Sequence, residues 1–180
     1  MARNIEIKAR IASAEALAAV AGQAAALATE RPFELTQDDT FFACDAGRLK
    51  LRTFSVTSGE LIFYRRANQA GPKESFYVRS PTSEPGSLRE ALTLAWGQAG
   101  RVHKRRTVYL VGRTRVHLDE VLGLGHFVEL EVVLREGEAP EAGVLEATEL
   151  MNRLGIQPQQ LLEDAYVDLL GRAGAEEAKT

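Results

Sequence analysis

The segment from Asn4 to Ile11 alternates with a period of two: Ile5, Ile7, Ala9 and Ile11 take one side, and Asn4, Glu6, Lys8 and Arg10 take the other. Successive side chains of a β-strand point to opposite faces, so this stretch predicts a strand with one apolar and one charged face. A lone strand of this kind lies on a surface with its charges in water. Here the pattern recurs. Arg48, Lys50 and Arg52 stand opposite Leu49 and Leu51, and Lys104 and Arg106 share a face. Arg115, His117 and Asp119 oppose Val116 and Leu118, while Phe127, Glu129 and Glu131 oppose Val128, Leu130 and Val132. A chain with so many strands of this type needs cover for every apolar face and a setting for every ionic one.

Short turn signals separate the strands, which argues for an antiparallel meander. A strand at about 33–43 is followed by the turn Asp45-Ala46-Gly47 and a strand over Arg48–Arg52. Thr57-Ser58-Gly59 predicts a turn into Glu60–Arg66, and Asn68–Pro72 a turn into Glu74–Arg79. Pro81 to Gly86 breaks the pattern, and Ser87-Leu88-Arg89-Glu90 reads as a capping box for a helix to about Trp96. Strands resume at Arg101–Val111, Arg113–Leu118 and His126–Leu134, with Gly123 and Gly125 in the last connection. Helices are expected over Ser13–Leu27 with Ser13 as N-cap, over Ala142–Leu154, and from about Pro158. Residues 1–172 then form one domain and 173–180 a frayed tail. The fold class is α+β, mainly β: a closed antiparallel eight-stranded β-barrel, which leaves no exposed edge, with helices packed outside.

The helices decide which side of the sheet is wet. They need apolar faces to pack on, so they cover the outside and turn the charged faces inward. A charged interior is unstable unless it holds water, ion pairs or a ligand. The cations are Lys8, Arg10, Arg48, Lys50, Arg52, Lys104, Arg106 and Arg115; the carboxylates among them are Glu6, Glu129 and Glu131, with Asp119 as a further candidate. Cations alone would take any polyanion. Carboxylates beside them would repel it unless a divalent metal bridges carboxylate and phosphate oxygens. That is the equipment of phosphoryl or nucleotidyl transfer. His117 reads either as a group behind the metal ligands or as a satisfied histidine at a strand end.

Composition narrows the classes. The 180 residues are 45% hydrophobic and 26% charged, a globular balance, with no apolar run of transmembrane length. The net charge of −3 offers no general field for nucleic acid, although arginine and lysine crowd particular strands. The lone Cys44 and the absence of an apolar leader point to a cytoplasmic protein.

Asn4-Ile5-Glu6-Ile7-Lys8 resembles the ExExK signature that opens the CYTH family, the triphosphate tunnel metalloenzymes. Gln37-x-Asp39-x-Phe41-Phe42, Arg48-Leu49-Lys50-Leu51-Arg52, Lys104-Arg105-Arg106 and Glu129-Leu130-Glu131 are similar to further family motifs, in family order. Arg115-Val116-His117-Leu118-Asp119, Gly123-Leu124-Gly125 and the closing Asp164–Leu170 stretch resemble the class IV adenylate cyclase subgroup. The resemblance implies an eight-stranded tunnel, a Mg²⁺ or Mn²⁺ cofactor and a triphosphate substrate. It implies phosphate binding by the eight cations named above, a metal on Glu6, Glu129 and Glu131 with Asp119 as an additional ligand, and catalytic roles for Lys8, Glu129 and Glu131. One departure is that the signature's first glutamate is Asn4 here, a poorer metal ligand, which leaves one metal or two open.

Both cyclisation of ATP to cyclic AMP and pyrophosphate and hydrolysis of thiamine, inorganic or nucleoside triphosphate use the same cations and metal. The first reading is the cyclase and the second a triphosphatase; a non-catalytic triphosphate- or polyphosphate-binding module is a third. The expected partners are a nucleoside or other triphosphate, with no nucleic acid and no membrane, and with room for a homodimer.

Overall fold

The computed structural model describes residues 2–67 and 69–177. Eight strands, β1 (Ala2–Ile11), β2 (Phe33–Phe42), β3 (Arg48–Ser55), β4 (Ser58–Arg66), β5 (Lys73–Thr82), β6 (Gln98–Val111), β7 (Thr114–Val121) and β8 (Gly125–Val133), close into one barrel. Their order around it is β1-β5-β4-β3-β2-β6-β7-β8, with every pairing antiparallel. Helices α1 (Ala14–Leu27), α2 (Pro85–Trp96), α3 (Pro140–Arg153) and α4 (Tyr166–Glu177) lie against it. The expected fold class is the observed one.

The outer apolar faces of β1, β7 and β8 carry the main core. Ile5, Ile7, Ala9 and Ile11 meet Val116, Leu118, Val128, Leu130 and Val132, and α1 and α3 cover them with Val20, Ala24, Ala147, Leu150 and Met151. At about 25 cal/mol per Å² of apolar surface removed from water, this layer is what makes the inward turn of the charged faces affordable. Ser13 caps α1 by accepting from the Ala16 N–H at 3.2 Å. Gly143 is what lets α3 sit directly on β1, since a Cβ there would come within 2.7 Å of Ile5 and Leu134.

Several local expectations are corrected. The β3–β4 turn is Val56-Thr57, and Gly59 lies inside β4. This glycine serves close approach rather than turning, for a Cβ would meet the Arg52 carbonyl oxygen at 2.7 Å and Pro85 at 2.9 Å. The turn expected at Asn68–Pro72 begins on Asn68, which lies outside the described residues. Strand β5 continues through Pro81, which pairs with Glu60 on β4. The β1 pairing of β5 ends at Tyr77, so the missing proline N–H interrupts no ladder on that side. Helix α2 starts at Pro85, two residues before Ser87, so the expected capping box does not form; proline's fixed φ suits the first helical position. Pro158 opens a single 3₁₀ turn, Pro158–Gln160, and the final helix starts at Tyr166 and runs past Gly171 to Glu177. The last three residues of the expected frayed tail lie outside the described residues.

Candidate triphosphate and metal site

The barrel encloses a cavity of about 380 Å³. Asn4, Glu6 and Lys8 from β1, Lys50 and Arg52 from β3, Lys104 and Arg106 from β6, Arg115 and His117 from β7, and Glu129 and Glu131 from β8 all line it. Those on β1, β3, β7 and β8 sit one residue from an outward apolar neighbour, while Lys104 and Arg106 alternate with the outward His103, Arg105 and Thr107. Register then sets the layers. Glu6 lies opposite Glu131 and Lys8 opposite Glu129 across β1–β8; Arg115 faces Glu131 and His117 faces Glu129 across β7–β8.

The cations of the lining are held by carboxylates, of which Asp39 and Asp119 are buried and Glu129, Glu131 and Glu60 half-buried. Asp39 accepts from Lys50 Nζ at 2.7 Å and from Arg52 Nε and one terminal nitrogen at 2.8 Å each. Asp119 is wholly enclosed and accepts from Lys104 at 3.2 Å, from Arg106 Nε at 2.6 Å and from the Tyr166 hydroxyl at 2.9 Å. Glu129 pairs with Lys8 at 2.9 Å and also with Arg106, Glu131 pairs with Arg115 at 2.9 Å, and Glu60 pairs with Arg79. Glu6 is the least satisfied, with Arg66 at 3.8 Å.

These environments separate the acids. Burial, then the neighbouring Glu131 carboxylate, pushes Glu6 above the usual carboxylate range. Burial acts the same way on Glu129, but Lys8 and Arg106 outweigh it and hold that carboxyl well down. Glu131 is likewise held down against burial, by His117 and Arg115. Burial and then the Arg52 charge lower the Lys50 ammonium to about 7, and burial with Arg106 lowers Lys104. A polyanion entering the cavity would meet cations whose charge it can itself stabilise.

Two predicted phosphate ligands do not join the others. Arg10 is exposed, donates to the Leu124 carbonyl at 3.1 Å and lies over the Phe127 ring. Arg48 turns to Asp168 on α4 at 2.7 Å. Asp119 is not among the ligand atoms that converge; its oxygens bond Lys104, Arg106 and Tyr166. His117 is: its ring, Glu129 and Glu131 present ligand atoms within 4.8 Å of one another. Sequence reasoning gave no role to Arg66, Arg79, Glu60 or Tyr64, all of which line the cavity, or to the clamp carboxylate Asp39. The first four lie on β4 and β5, where the alternation was visible but no acid–base pattern marked it.

The ends of the cavity differ. Tyr166, buried, closes one end, with Lys8 Nζ 3.6 Å above its ring centroid. At the other, Phe33 and Phe54 line the cavity while 46% and 40% exposed, which places them at an opening. Among the described residues, Asn4 Oδ1, Gln37 Oε1, Arg115 Nε and His117 Nδ1 are buried polar atoms of this lining without a hydrogen-bond partner. Unpaired buried polar atoms are costly, so such a cluster marks a place where bound groups complete the bonding.

The residues present fit a divalent cation. The carboxylates of Glu129 and Glu131 and an imidazole nitrogen without a partner bring ligand atoms within 4.8 Å of one another, and Glu6 lies opposite Glu131 on β1. The CYTH domain profile matches residues 2–166. The chain belongs to the CYTH family. CYTH tunnel enzymes act on triphosphates and depend on a divalent metal. Adenylate cyclase CyaB of Aeromonas hydrophila is 26% identical to the chain over 171 residues, 91% of this chain and 86% of that protein. Among solved structures, the CYTH barrel here resembles PH1012 of Pyrococcus horikoshii OT3 with a TM-score of 0.80 at 20% identity, covering 92% and 98% of the two chains. It also resembles the Hippeastrum adenylyl cyclase homologue HpAC1, described with a dominant triphosphatase activity, at a TM-score of 0.65 and 19% identity over 95% and 96%. At these identities the two structures establish the shared fold.

Proposed function

We propose that this protein is a divalent-metal-dependent enzyme that holds an organic triphosphate in the barrel, and that its reaction is the cyclisation of ATP to cyclic AMP and pyrophosphate. The observation that carries the reading is the acidic cluster Glu6, Glu129 and Glu131 set inside a ring of cations. The relation to the Aeromonas adenylate cyclase, over most of both chains, favours the cyclase.

Lys50, Arg52, Lys104, Arg106 and Arg115 would hold the non-bridging oxygens of the phosphate chain. Arginine offers paired N–H donors, and Asp39 and Asp119 keep the guanidinium groups of Arg52 and Arg106 oriented while the ligand arrives. Lys8, fixed between Glu129 and the Tyr166 ring, would meet the phosphate nearest the closed end. A divalent cation on Glu6, Glu129 and Glu131 would neutralise charge as the P–O bond breaks. In the cyclase the ribose 3′-hydroxyl attacks the α-phosphorus, its proton passes to a base, and pyrophosphate leaves. The apolar opening of Phe33, Leu35, Phe54 and Val108 suits the organic end of a substrate and favours a nucleoside or thiamine triphosphate over inorganic triphosphate.

A second reading is hydrolysis at the terminal phosphorus, which the triphosphatase activity described for HpAC1 supports. The test is incubation with Mn²⁺ and ATP, thiamine triphosphate or inorganic triphosphate, with products identified by mass. Cyclic AMP with pyrophosphate supports the cyclase. Orthophosphate with the diphosphate product supports the hydrolase. Binding without any product overturns the enzyme reading and leaves a triphosphate-binding module.

A further inference from the structure

We propose that His117 is a direct ligand of the divalent cation, giving this barrel a mixed nitrogen and oxygen donor set that selects Mn²⁺ over Mg²⁺. The inference rests on the metal-dependent reading above and adds a ligand and a selectivity to it.

Strand register carries the argument first. His117 on β7 lies directly opposite Glu129 on β8, and Glu131 is the next residue on the same face. The imidazole is therefore fixed beside both carboxylates by backbone pairing rather than by a flexible reach. His117 is 4% exposed and its Nδ1 has no hydrogen-bond partner. A buried histidine that served only packing would bond that nitrogen to a neighbour. Nδ1 instead stands 3.9 Å from Glu129 Oε2 and 3.8 Å from Glu131 Oε1. These separations are too long for hydrogen bonds. Two ligands each about 2.1 Å from one ion lie roughly 3.0 Å apart when adjacent and 4.2 Å apart when opposed, and the observed separations fall between these limits, within reach of a shared cation.

The other donors make the nitrogen matter. Position 4, where the family signature has a glutamate, offers only a neutral amide oxygen. Asp119, two residues from His117 on the same face, has its oxygens engaged by Lys104, Arg106 and Tyr166. A shell with one carboxylate fewer and one imidazole more moves away from the all-oxygen octahedron that Mg²⁺ demands. It moves toward ions that accept nitrogen, and Mn²⁺ tolerates both donor types.

The experiment uses the full chain, stripped with EDTA, loaded with Mn²⁺ in the absence of triphosphate, and carrying ¹⁵N-labelled histidine. Electron spin-echo modulation should report a directly bound ¹⁵N nucleus in the parent. The signal should vanish in His117→Gln, and His103→Gln and His126→Gln should retain it. Calorimetry should show Mn²⁺ affinity falling at least about tenfold in His117→Gln, since even groups behind a ligand cost that much, while Mg²⁺ affinity falls less. Bound Mn²⁺ with no histidine coupling in the parent overturns the ligand assignment and leaves the metal-dependent reading standing. No Mn²⁺ bound, with or without triphosphate, overturns both. The parent spectrum decides the assignment even if the glutamine variant fails to fold.

Discussion

Replacing Asp39 by asparagine should make the protein less stable and, at the same time, more responsive to a polyanion. The Asp39 carboxylate is buried on β2 and makes three charge-assisted bonds, one to Lys50 and two to Arg52. Burial opposes its ionisation, yet Lys50 and Arg52 hold it far below the usual carboxylate range. Asparagine keeps the shape and one acceptor oxygen but leaves two cations enclosed without their counter-charge. Removing one partner of a buried ion pair costs about 3–5 kcal/mol. For a chain of this length each kcal/mol lowers Tm by about 2–4 °C, so the expected loss is roughly 6–20 °C. Lys50, whose ammonium is already lowered to about 7, can shed its proton in the variant, which moves the cost toward the smaller figure. Arg52 stays charged and carries the rest.

A bound triphosphate would restore the missing anion. Inorganic triphosphate should therefore raise Tm more in Asp39→Asn than in the parent, measured by scanning calorimetry at pH 7 with EDTA present. Equal melting temperatures without ligand would refute the clamp. A ligand-induced rise no larger than the parent's would refute the idea that clamp and phosphate chain share the same cations.

Three further outcomes follow from the same geometry. Glu129→Gln or Glu131→Gln keeps the side-chain shape and removes a charge, so turnover should disappear with the fold intact by circular dichroism and some triphosphate binding retained; parental rates, or full activity in EDTA, would sink the metal role. Triphosphate binding at pH 8 should draw a proton onto Lys50, because burial and Arg52 lower it to about 7 and a polyanion reverses that; calorimetry in buffers of different ionisation heat reads the uptake, and zero uptake contradicts it. The unfolded chain keeps this proton up to the ordinary value of 10.5, so this residue's contribution to stability should rise with pH between about 7 and 10.5. Tyr166→Phe removes the 2.9 Å bond to Asp119 but leaves the ring beneath Lys8, and should cost about 1–2 kcal/mol in denaturant unfolding; no loss would mean that Lys104 and Arg106 satisfy Asp119 alone.

Strands and their two faces were legible in the sequence because a period of two is a local property of the backbone. Ile5 to Ile11, Leu49 with Leu51, and Val128 to Val132 each declare an apolar face within a few residues. The charges opposite them were thereby assigned, and the need to bury the helices' apolar sides sent them inward. That is why Lys8, Lys50, Arg52, Glu129 and Glu131 were expected in the interior and line the cavity; Lys104 and Arg106, which alternate with His103, Arg105 and Thr107, line it too.

Which charge meets which is decided by strand register, part of it in hairpins and part of it only when β1 pairs with β8 to close the barrel. Register in the β6–β7 and β7–β8 hairpins sets Asp119 against Arg106 and His117 against Glu129, while the pairing of β1 with β8, far apart in sequence, brings Glu6 and Lys8 to Glu131 and Glu129. Arg10 and Arg48 carry the same alternation as their neighbours, yet they lie near strand ends, where the Leu124 carbonyl and Asp168 offer partners. The plug Tyr166 enters from a helix more than thirty residues beyond β8, and no local pattern announces it. Alternation is written in adjacent residues; pairing depends on how the sheet closes, and that is a property of the whole chain.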